Sequence, residues 1–145
     1  MRKIMLNYDF LEALLFEYHE NHEAANKIVT VIKKDDYLYI PYYVLMIIMK
    51  KLEKYNYDSN IKFIENISMT TRIDYKISKA IFLNAYELFK SEDYLNFIDC
   101  VTIQYMKSRE IKYIISFDET LDNIKGFKRL YKIDEYNPHR LNFFN

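Results

Sequence analysis

The stretch KYIISFD at residues 112–118 is the part of the sequence that says most about the fold. Its apolar centre is short and rich in isoleucine, which is typical of a buried strand in a parallel sheet. A serine and an aspartate follow at Ser116 and Asp118. In α/β proteins, ligands bind beyond the carboxyl ends of the parallel strands. We therefore expect Ser116 and Asp118 to lie beside a functional site.

Similar apolar runs recur along the chain and alternate with segments of helical periodicity. Strands are predicted at residues 3–6, 37–40, 68–73, 112–116 and 127–133. Helices are predicted at residues 10–15, 22–34, 41–52, 61–67, 77–89, 97–106 and 118–124, with Asp74 as a cap of the fifth. This alternation predicts a three-layer α/β fold, in which helices cover both faces of a parallel sheet of about five strands. A length of 145 residues suits one domain, residues 1–145.

The composition narrows the class of protein. Half of the residues are hydrophobic and 29% are charged, as in a folded rather than a disordered chain. The 21 basic residues balance the 21 acidic ones, so the basic surplus of a general nucleic-acid binder is absent. Contact with a nucleic acid would have to come from a local patch.

The cysteine content and the apolar runs favour the cytoplasm. Cys100 is the only cysteine, so one chain can form neither a disulfide nor a cysteine-based zinc site. The apolar run at residues 3–6 is too short for a signal peptide. The longest apolar run, residues 37–49, contains Pro41 and is shorter than the roughly 20 residues of a membrane span.

Two aspartates occupy positions where carboxylates can do chemistry. Asp99 lies near the start of a predicted helix, and Asp118 follows a predicted strand. Carboxylates that meet at strand ends can hold a hard cation through oxygen ligands and water. Such an ion can activate water and stabilise a phosphoryl transition state. By themselves, Asp99, Asp118 and also Asp9 are equally well explained as helix caps.

The segments IDCV at residues 98–101 and IISFD at 114–118, the second followed by Leu121 and Asp122, resemble two motifs of the PIN domain family. This family includes the toxin ribonucleases of toxin–antitoxin pairs. Gly126 and Leu130 also match the pattern, and the resemblance spans residues 4 to about 130.

The resemblance implies a specific activity and specific partners. It implies an endoribonuclease that cleaves RNA with Mg²⁺ or Mn²⁺, held by Asp99 and Asp118 and supported by Ser116. It also implies an antitoxin-type protein partner and pairing of two copies through helices.

Two further acids of the family pattern are missing. The first aspartate of the pattern falls at Asn7, with Asp9 as a stand-in, and the glutamate falls at Ile47. Glu53, six residues further on, would point away, because six helical residues rotate by about 240° beyond a full turn. Asparagine offers an oxygen without a charge, and isoleucine offers no ligand.

These losses leave two functions open. In the first, the protein is a ribonuclease whose activity is weakened or lost, with Asn7, Asp9, Asp99, Ser116 and Asp118 at its site. In the second, it is a non-catalytic module that keeps the fold and binds RNA or a protein. A flavodoxin-like or response-regulator-like fold is disfavoured, because no phosphate-binding loop is visible and glycine is nearly absent.

Other features support weaker hypotheses. His19 and His22 could bind a transition metal, although a polar helix junction explains them better. Asp122 is expected to be a solvated helix residue and Cys100 a buried apolar one. Tyrosines around the second strand could stack on bases: Tyr37, Tyr39, Tyr42 and Tyr43. Basic groups that could meet phosphate, although solvated faces are the commoner explanation, are Lys50, Lys51, Lys54, Lys107, Arg109 and Lys112.

Overall fold

A computed structural model describes residues 2–32, 36–55, 57–133 and 141–144. Its strands are β1 (Lys3–Leu6), β2 (Tyr37–Pro41), β3 (Arg72–Asp74), β4 (Tyr113–Ile115), β5 (Lys128–Ile133) and β6 (Leu141–Phe144). Its α-helices are α1 (Tyr8–Leu15), α2 (His22–Val31), α3 (Tyr42–Leu52), α4 (Tyr57–Thr70), α5 (Lys79–Ser91) and α6 (Phe97–Ser108). A 3₁₀ turn, Glu119–Asn123, connects β4 to β5.

The strands form one sheet in the order β3-β2-β1-β4-β5-β6. The first five in this order run parallel, and β6 pairs antiparallel with β5. The predicted three-layer α/β fold with about five parallel strands is therefore confirmed. The added strand β6 lies in the C-terminal segment, for which the sequence pattern made no clear prediction.

The order of the strands creates a crevice at the centre of the sheet. From β1 the chain moves outward on one side through β2 and β3, and then returns to the other side of β1 as β4 and β5. Helices that connect strands on opposite sides of such a point leave room between them at the carboxyl edge. The residues that follow β1 and β4 meet there, since Asn7 N–H donates to the Ile115 carbonyl at 3.1 Å.

The core is built from the apolar runs that predicted the strands. Ile4, Met5, Ile40, Ile114 and Ile115 are all at most 2% exposed and belong to one cluster. The apolar face predicted for α3 packs on the same cluster through its fully or almost fully buried members Val44, Ile48 and Leu52. A smaller cluster lies between α5 and α6 and contains the buried Cys100, as expected.

The strand predicted at residues 68–73 is largely wrong. Helix α4 continues to Thr70, and only Arg72–Asp74 pairs with β2. The helix can accommodate its polar C-terminal residues because their hydroxyls donate to helical carbonyls, Ser68 to Glu65 and Thr70 to Asn66. Ile67, the last residue of the predicted helix, is buried in the main core, and α4 continues beyond it to Thr70.

The cap predicted for α5 is also wrong. Ser78 caps this helix, since its hydroxyl accepts from Ile81 N–H at 3.2 Å. Asp74 instead accepts from Arg109 Nε at 2.7 Å and from the Tyr105 hydroxyl at 3.2 Å. This ion pair ties the end of β3 to the end of α6, so Arg109 is not a free phosphate-binding group.

Within the described parts of the chain, none of the helices has the length and apolar character needed to cross a membrane.

Replacement of Ile4 by alanine tests the core. Ile4 is fully buried, so Ile4→Ala should lower the free energy of unfolding by about 2–5 kcal/mol. Ile61→Ala is the matched control, because Ile61 is 51% exposed on α4, and it should cost less than about 1 kcal/mol. Urea unfolding measures both changes. Equal losses for the two variants would contradict the assignment of the core.

Candidate acidic site

Three carboxylates approach one another at the crevice between β1 and β4. Asp9 lies in the first turn of α1, Asp99 lies in the first turn of α6, and Asp118 follows β4. The charges of Asp118 and Asp9 both act on Asp99 and raise its pKa. The structure thus brings together the two aspartates of the sequence motifs, with Asp9 as a third member. We call these three residues the acidic cluster.

The hydroxyl of Ser116 organises one side of the acidic cluster. Ser116 is completely buried, and its Oγ donates to the carboxylate of Asp9 at 2.9–3.0 Å. The same oxygen accepts from Asn7 Nδ2 at 3.3 Å and from Asp118 N–H at 3.1 Å. A serine hydroxyl has one donor and two acceptor positions, so all its capacity is used. Ser116 therefore fixes the position of the chain at the ends of both central strands.

Asp9 stabilises the backbone within this network. Besides Ser116, it accepts from Phe117 N–H at 2.7 Å and from Phe10 N–H at 2.8 Å. Burial raises the pKa of Asp9, although the hydrogen bonds from Phe117 and Ser116 oppose that shift. Asp9 does not cap α1, because the N-cap position belongs to Asn7. Its oxygens are largely engaged and are poorly placed to take on a further ligand.

The carboxylate of Asp99 is available for a ligand. The cap of α6 is Asn96, whose Oδ1 accepts from Asp99 N–H at 2.8 Å, so the cap role suggested for Asp99 is wrong. The Asn96 backbone N–H interacts in turn with the Asp99 carboxylate and opposes the rise in its pKa, and the described parts of the chain offer this carboxylate no other hydrogen bond. No buried polar side-chain atom there lacks a partner, so these oxygens reach solvent. Burial, together with the charges of Asp118 and Asp9, raises the pKa of Asp99 to about 6.

Asp118 offers a second open acceptor. Its Oδ1 accepts from Thr120 N–H at 3.0 Å and from the Thr120 hydroxyl at 2.8 Å, so this residue does cap the 3₁₀ turn. Its Oδ2 has no hydrogen bond from the parts of the chain that the structure describes. Cap and ligand are therefore compatible roles, because each uses a different oxygen of the carboxylate.

Two tyrosines border the acidic cluster: Tyr8, which the sequence did not single out, and Tyr43, which it offered only as a ring that could stack on bases. Burial and the charge of Asp99 raise the pKa of Tyr8 to about 12, so its phenol stays protonated at neutral pH. The Tyr43 hydroxyl pairs with the Thr102 hydroxyl at 2.6 Å, and burial raises its pKa. The position of Tyr8 between Asn7 and Asp9 was the available signal for its place at the site.

Ile47, at the position of the missing glutamate, has neighbours other than the residues of the acidic cluster. Ile47 lies on α3 beside a groove that Glu12 of α1 also lines. The Glu12 carboxylate accepts from Lys51 Nζ at 2.6 Å, so its charge is compensated. Glu53 lies exposed just beyond the end of α3. Neither carboxylate takes part in the network around Ser116.

A buried arginine stabilises the chain beside the acidic cluster. Arg129 of β5 is 4% exposed and donates to the Ser116 carbonyl at 3.2 Å. It also forms a two-pronged ion pair with Asp122 at 2.8 and 2.9 Å. Asp122 is therefore not the solvated residue that its helical setting suggested, because it compensates this buried charge.

The histidines form local contacts. Nδ1 of His22 lies 2.7 Å from the Ala13 carbonyl, and His19 Nδ1 accepts from Asn21 N–H. Both contacts hold the connection between α1 and α2, as expected for a polar helix junction.

The donor set of the cluster suits a hard cation. Carboxylate oxygens are the ligands that Mg²⁺ prefers, and this ion is commonly held by one or two carboxylates together with water. Across residues 2–32, 36–55, 57–133 and 141–144, no three acidic, histidine or cysteine side chains form a complete protein cage. The open oxygens of Asp99 and Asp118 therefore fit a site with two protein ligands.

Replacement of Asp99 tests the combined cost of its burial and of the charge repulsion in the cluster. Because the pKa of Asp99 is about 6 in the folded protein and 3.8 ordinarily, its contribution to stability is complete below pH 3.8 and is lost as the pH rises through 6. Asp99→Asn should therefore stabilise the protein at pH 8 and have little effect at pH 4. Two pKa units correspond to about 2.7 kcal/mol, and solvent screening reduces the expected gain to about 1–2 kcal/mol.

Urea unfolding at both pH values, without divalent metal, measures this difference. Asp93→Asn is the control, because Asp93 is exposed in the turn before α6, and it should change stability by less than about 0.5 kcal/mol at either pH. A loss of stability in Asp99→Asn at pH 8 would contradict the repulsion.

Solved structures with a similar fold include several from toxin–antitoxin systems. The VapC20 toxin of Mycobacterium tuberculosis, described as cleaving the sarcin–ricin loop, is 16% identical with a TM-score of 0.65, over 79% of this chain and 89% of that one. A toxin–antitoxin complex from Klebsiella pneumoniae is 17% identical with a TM-score of 0.64, over 86% and 94%. VapBC2 of Rickettsia felis, bound to a fragment of promoter DNA, is 10% identical with a TM-score of 0.65, over 88% and 96%.

At these identities the similarity establishes the fold. No curated protein matches the sequence significantly. The family model described as the PIN domain matches residues 10–126, which is most of the chain. That range includes Asp99, Ser116 and Asp118, whereas Asn7 and Asp9 lie just before it. This chain belongs to the PIN domain family.

Proposed function

We propose that this protein is a toxin-type endoribonuclease that uses Mg²⁺ or Mn²⁺ and has a reduced set of acidic ligands. The observation that carries the proposal is the pair of open carboxylates, Asp99 and Asp118, which converge beside the network around Ser116. The membership in the PIN family and the fold shared with VapC20, described as a toxin that cleaves the sarcin–ricin loop, support it.

Each residue of the site has a distinct role in this proposal. Asp99 and Asp118 would hold the cation, which when bound supplies an activated water and offsets the negative charge of the phosphodiester. Ser116 and Asp9 hold the backbone of Asp118 in place, and Asn7 contributes through its bond to Ser116. Because the pKa of Asp99 is about 6, a lower pH would protonate this ligand.

The protonated phenol of Tyr8 adds a neutral donor at the same place. It lies beside Asp99, Asp9 and Asp118, whose charges all raise its pKa. A neutral hydroxyl can donate to a phosphate oxygen without losing its own proton. This contact would orient the RNA backbone relative to the acidic cluster.

A non-catalytic RNA- or protein-binding module is the second candidate. Two observations favour it. The buried amide of Asn7 takes the place of the first family aspartate, and Ile47 removes the glutamate altogether. Because Asp9 is already engaged by Ser116 and Phe117, it does not restore the missing ligand.

The partners follow from the same family. An antitoxin-type protein would be the natural partner, since two of the structures with this fold are toxin–antitoxin complexes. We further propose a cytoplasmic location and pairing of two copies through helices. RNA is the proposed substrate in either case.

Cleavage of RNA tests the enzymatic proposal. Purified protein is incubated with labelled single-stranded RNA and Mn²⁺, and the products are resolved on a gel. Asp99→Asn and Asp118→Asn should each lower the rate at least about 100-fold, as losses of catalytic groups commonly do. Asp93→Asn, which removes an exposed aspartate, should keep the wild-type rate.

The same variants separate the two candidate functions. At Mn²⁺ concentrations of about ten times Kd, the metal should stabilise the wild type by about 1.4 kcal/mol and leave Asp99→Asn unchanged. RNA cleavage that is equal in the wild type and both site variants would reject the enzyme. RNA binding without any cleavage would favour the non-catalytic module.

A further inference from the structure

A groove of about 450 Å³ lies between the end of α1 and the last turns of α3. It combines two exposed tyrosines with three lysines and two glutamates, Glu12 and Glu53, so that one positive charge remains in excess. The residues that matter most here are Phe16, Tyr18, Tyr55, Lys50, Lys51 and Lys54, and we call them the lysine–tyrosine groove. None of them takes part in the network around Ser116.

The aromatic part of the groove is exposed and yet held in place. Tyr18 is 72% exposed and Tyr55 is 44% exposed, but both rings pack on the buried Phe16, with centroids 5.4 and 5.2 Å away. Their hydroxyls lie 3.0 Å apart and form a hydrogen bond. Exposed rings fixed in this way offer flat surfaces for stacking, with little side-chain entropy left to lose.

The lysines form the second wall of the groove. Ile47, Lys50 and Lys51 lie on α3 and Lys54 lies in the turn that follows it, and all four residues line the groove. Lys51 is neutralised by Glu12. Lys50 and Lys54 are exposed and have no hydrogen bond or ion pair with any residue that the structure describes. They are therefore free to bind an anion.

The groove begins next to the acidic cluster. Tyr8 and Glu12 lie one turn apart on one face of α1, and Phe16 is the C-cap that follows the last turn of this helix. Tyr8 borders the acidic cluster, while Glu12 and Phe16 line the groove. Eight residues of helix correspond to about 12 Å. This is a distance that a few nucleotides of single-stranded RNA can span.

We propose that the lysine–tyrosine groove binds the stretch of single-stranded RNA that flanks the phosphodiester held at the acidic cluster. Lys50 and Lys54 would contact the phosphates, and Tyr18 and Tyr55 would stack on one or two bases. Aromatic platforms beside basic side chains are the common means of binding single strands without a strong sequence preference. The inference rests on the proposed action on RNA and adds to it the site at which the strand is held.

The test is the binding of a fluorescein-labelled single-stranded RNA of ten uridines, measured by fluorescence anisotropy in EDTA, where no metal-dependent cleavage occurs. The combined substitution Lys50→Ala plus Lys54→Ala should weaken binding at least about tenfold at low salt. It should also lower the slope of log K against log[salt] by about 1.4, since each phosphate contact to a single strand contributes about 0.7. Lys79→Ala plus Lys125→Ala, exposed positions on α5 and before Gly126, is the control with the same change in charge.

The tyrosines are tested separately from the charges. Tyr18→Ala should weaken binding by roughly 5- to 150-fold, the range for loss of one stacked base, whereas Tyr18→Phe should stay within about twofold of the wild type. Tyr18 is mostly exposed, so both variants should fold, and circular dichroism checks this.

The outcomes distinguish this inference from the proposed catalysis. If the wild type does not bind the RNA in EDTA, or if the groove variants bind as well as the wild type, the groove is not the RNA site; a protein partner would then have to explain its composition. If binding depends on the groove and the wild type nevertheless does not cleave RNA with Mn²⁺, the groove is upheld and the nuclease proposal fails.

Discussion

The buried hydroxyl of Ser116 connects the ends of the two central strands, and the geometry of the acidic cluster depends on it. It donates to Asp9 and accepts from Asn7 and from the backbone of Asp118, so it joins α1 to the loop after β4. The guanidinium of Arg129 holds the carbonyl of the same residue. A group with all its hydrogen-bonding capacity used in a buried place leaves the surrounding chain one low-energy arrangement.

This arrangement divides the three carboxylates into two kinds. Asp9 is occupied by donors from Ser116 and two backbone amides, whereas Asp99 and Asp118 keep oxygens open to solvent. Burial, and then the neighbouring charges of Asp118 and Asp9, raise the pKa of Asp99, so its ionised form is unfavourable in the crevice. Unfavourable charge gathered in a crevice is common at functional sites, where a ligand supplies the compensation. Asn7 and Ile47, at the positions of the two missing family acids, add no charge to this crevice.

Ile47, at the position of the missing glutamate, lines the groove beside α3. The same groove is lined by lysines and by two tyrosines whose rings pack on Phe16. The proposed loss of a metal ligand and the proposed RNA-binding surface are compatible, because the first would affect the rate of chemistry and the second the affinity for the strand. A nuclease of weakened activity and a non-catalytic RNA-binding module would therefore require much the same structure.

The sequence by itself determined the alternation of strands and helices, the motifs around Asp99 and Asp118, and the absence of the acids at Asn7 and Ile47. These are local properties: hydrophobic periodicity, turn residues and side-chain identity are all readable within a few neighbouring positions. It misplaced the strand before Asp74, because the hydroxyls of Ser68 and Thr70 return to helical carbonyls and let α4 continue. Only the tertiary structure decided that Asn96 rather than Asp99 caps α6, that Asp122 compensates a buried arginine, and that Tyr8 borders the acids. Each of these depends on which distant partner a polar group meets, and that is settled when the strands pair and the core closes.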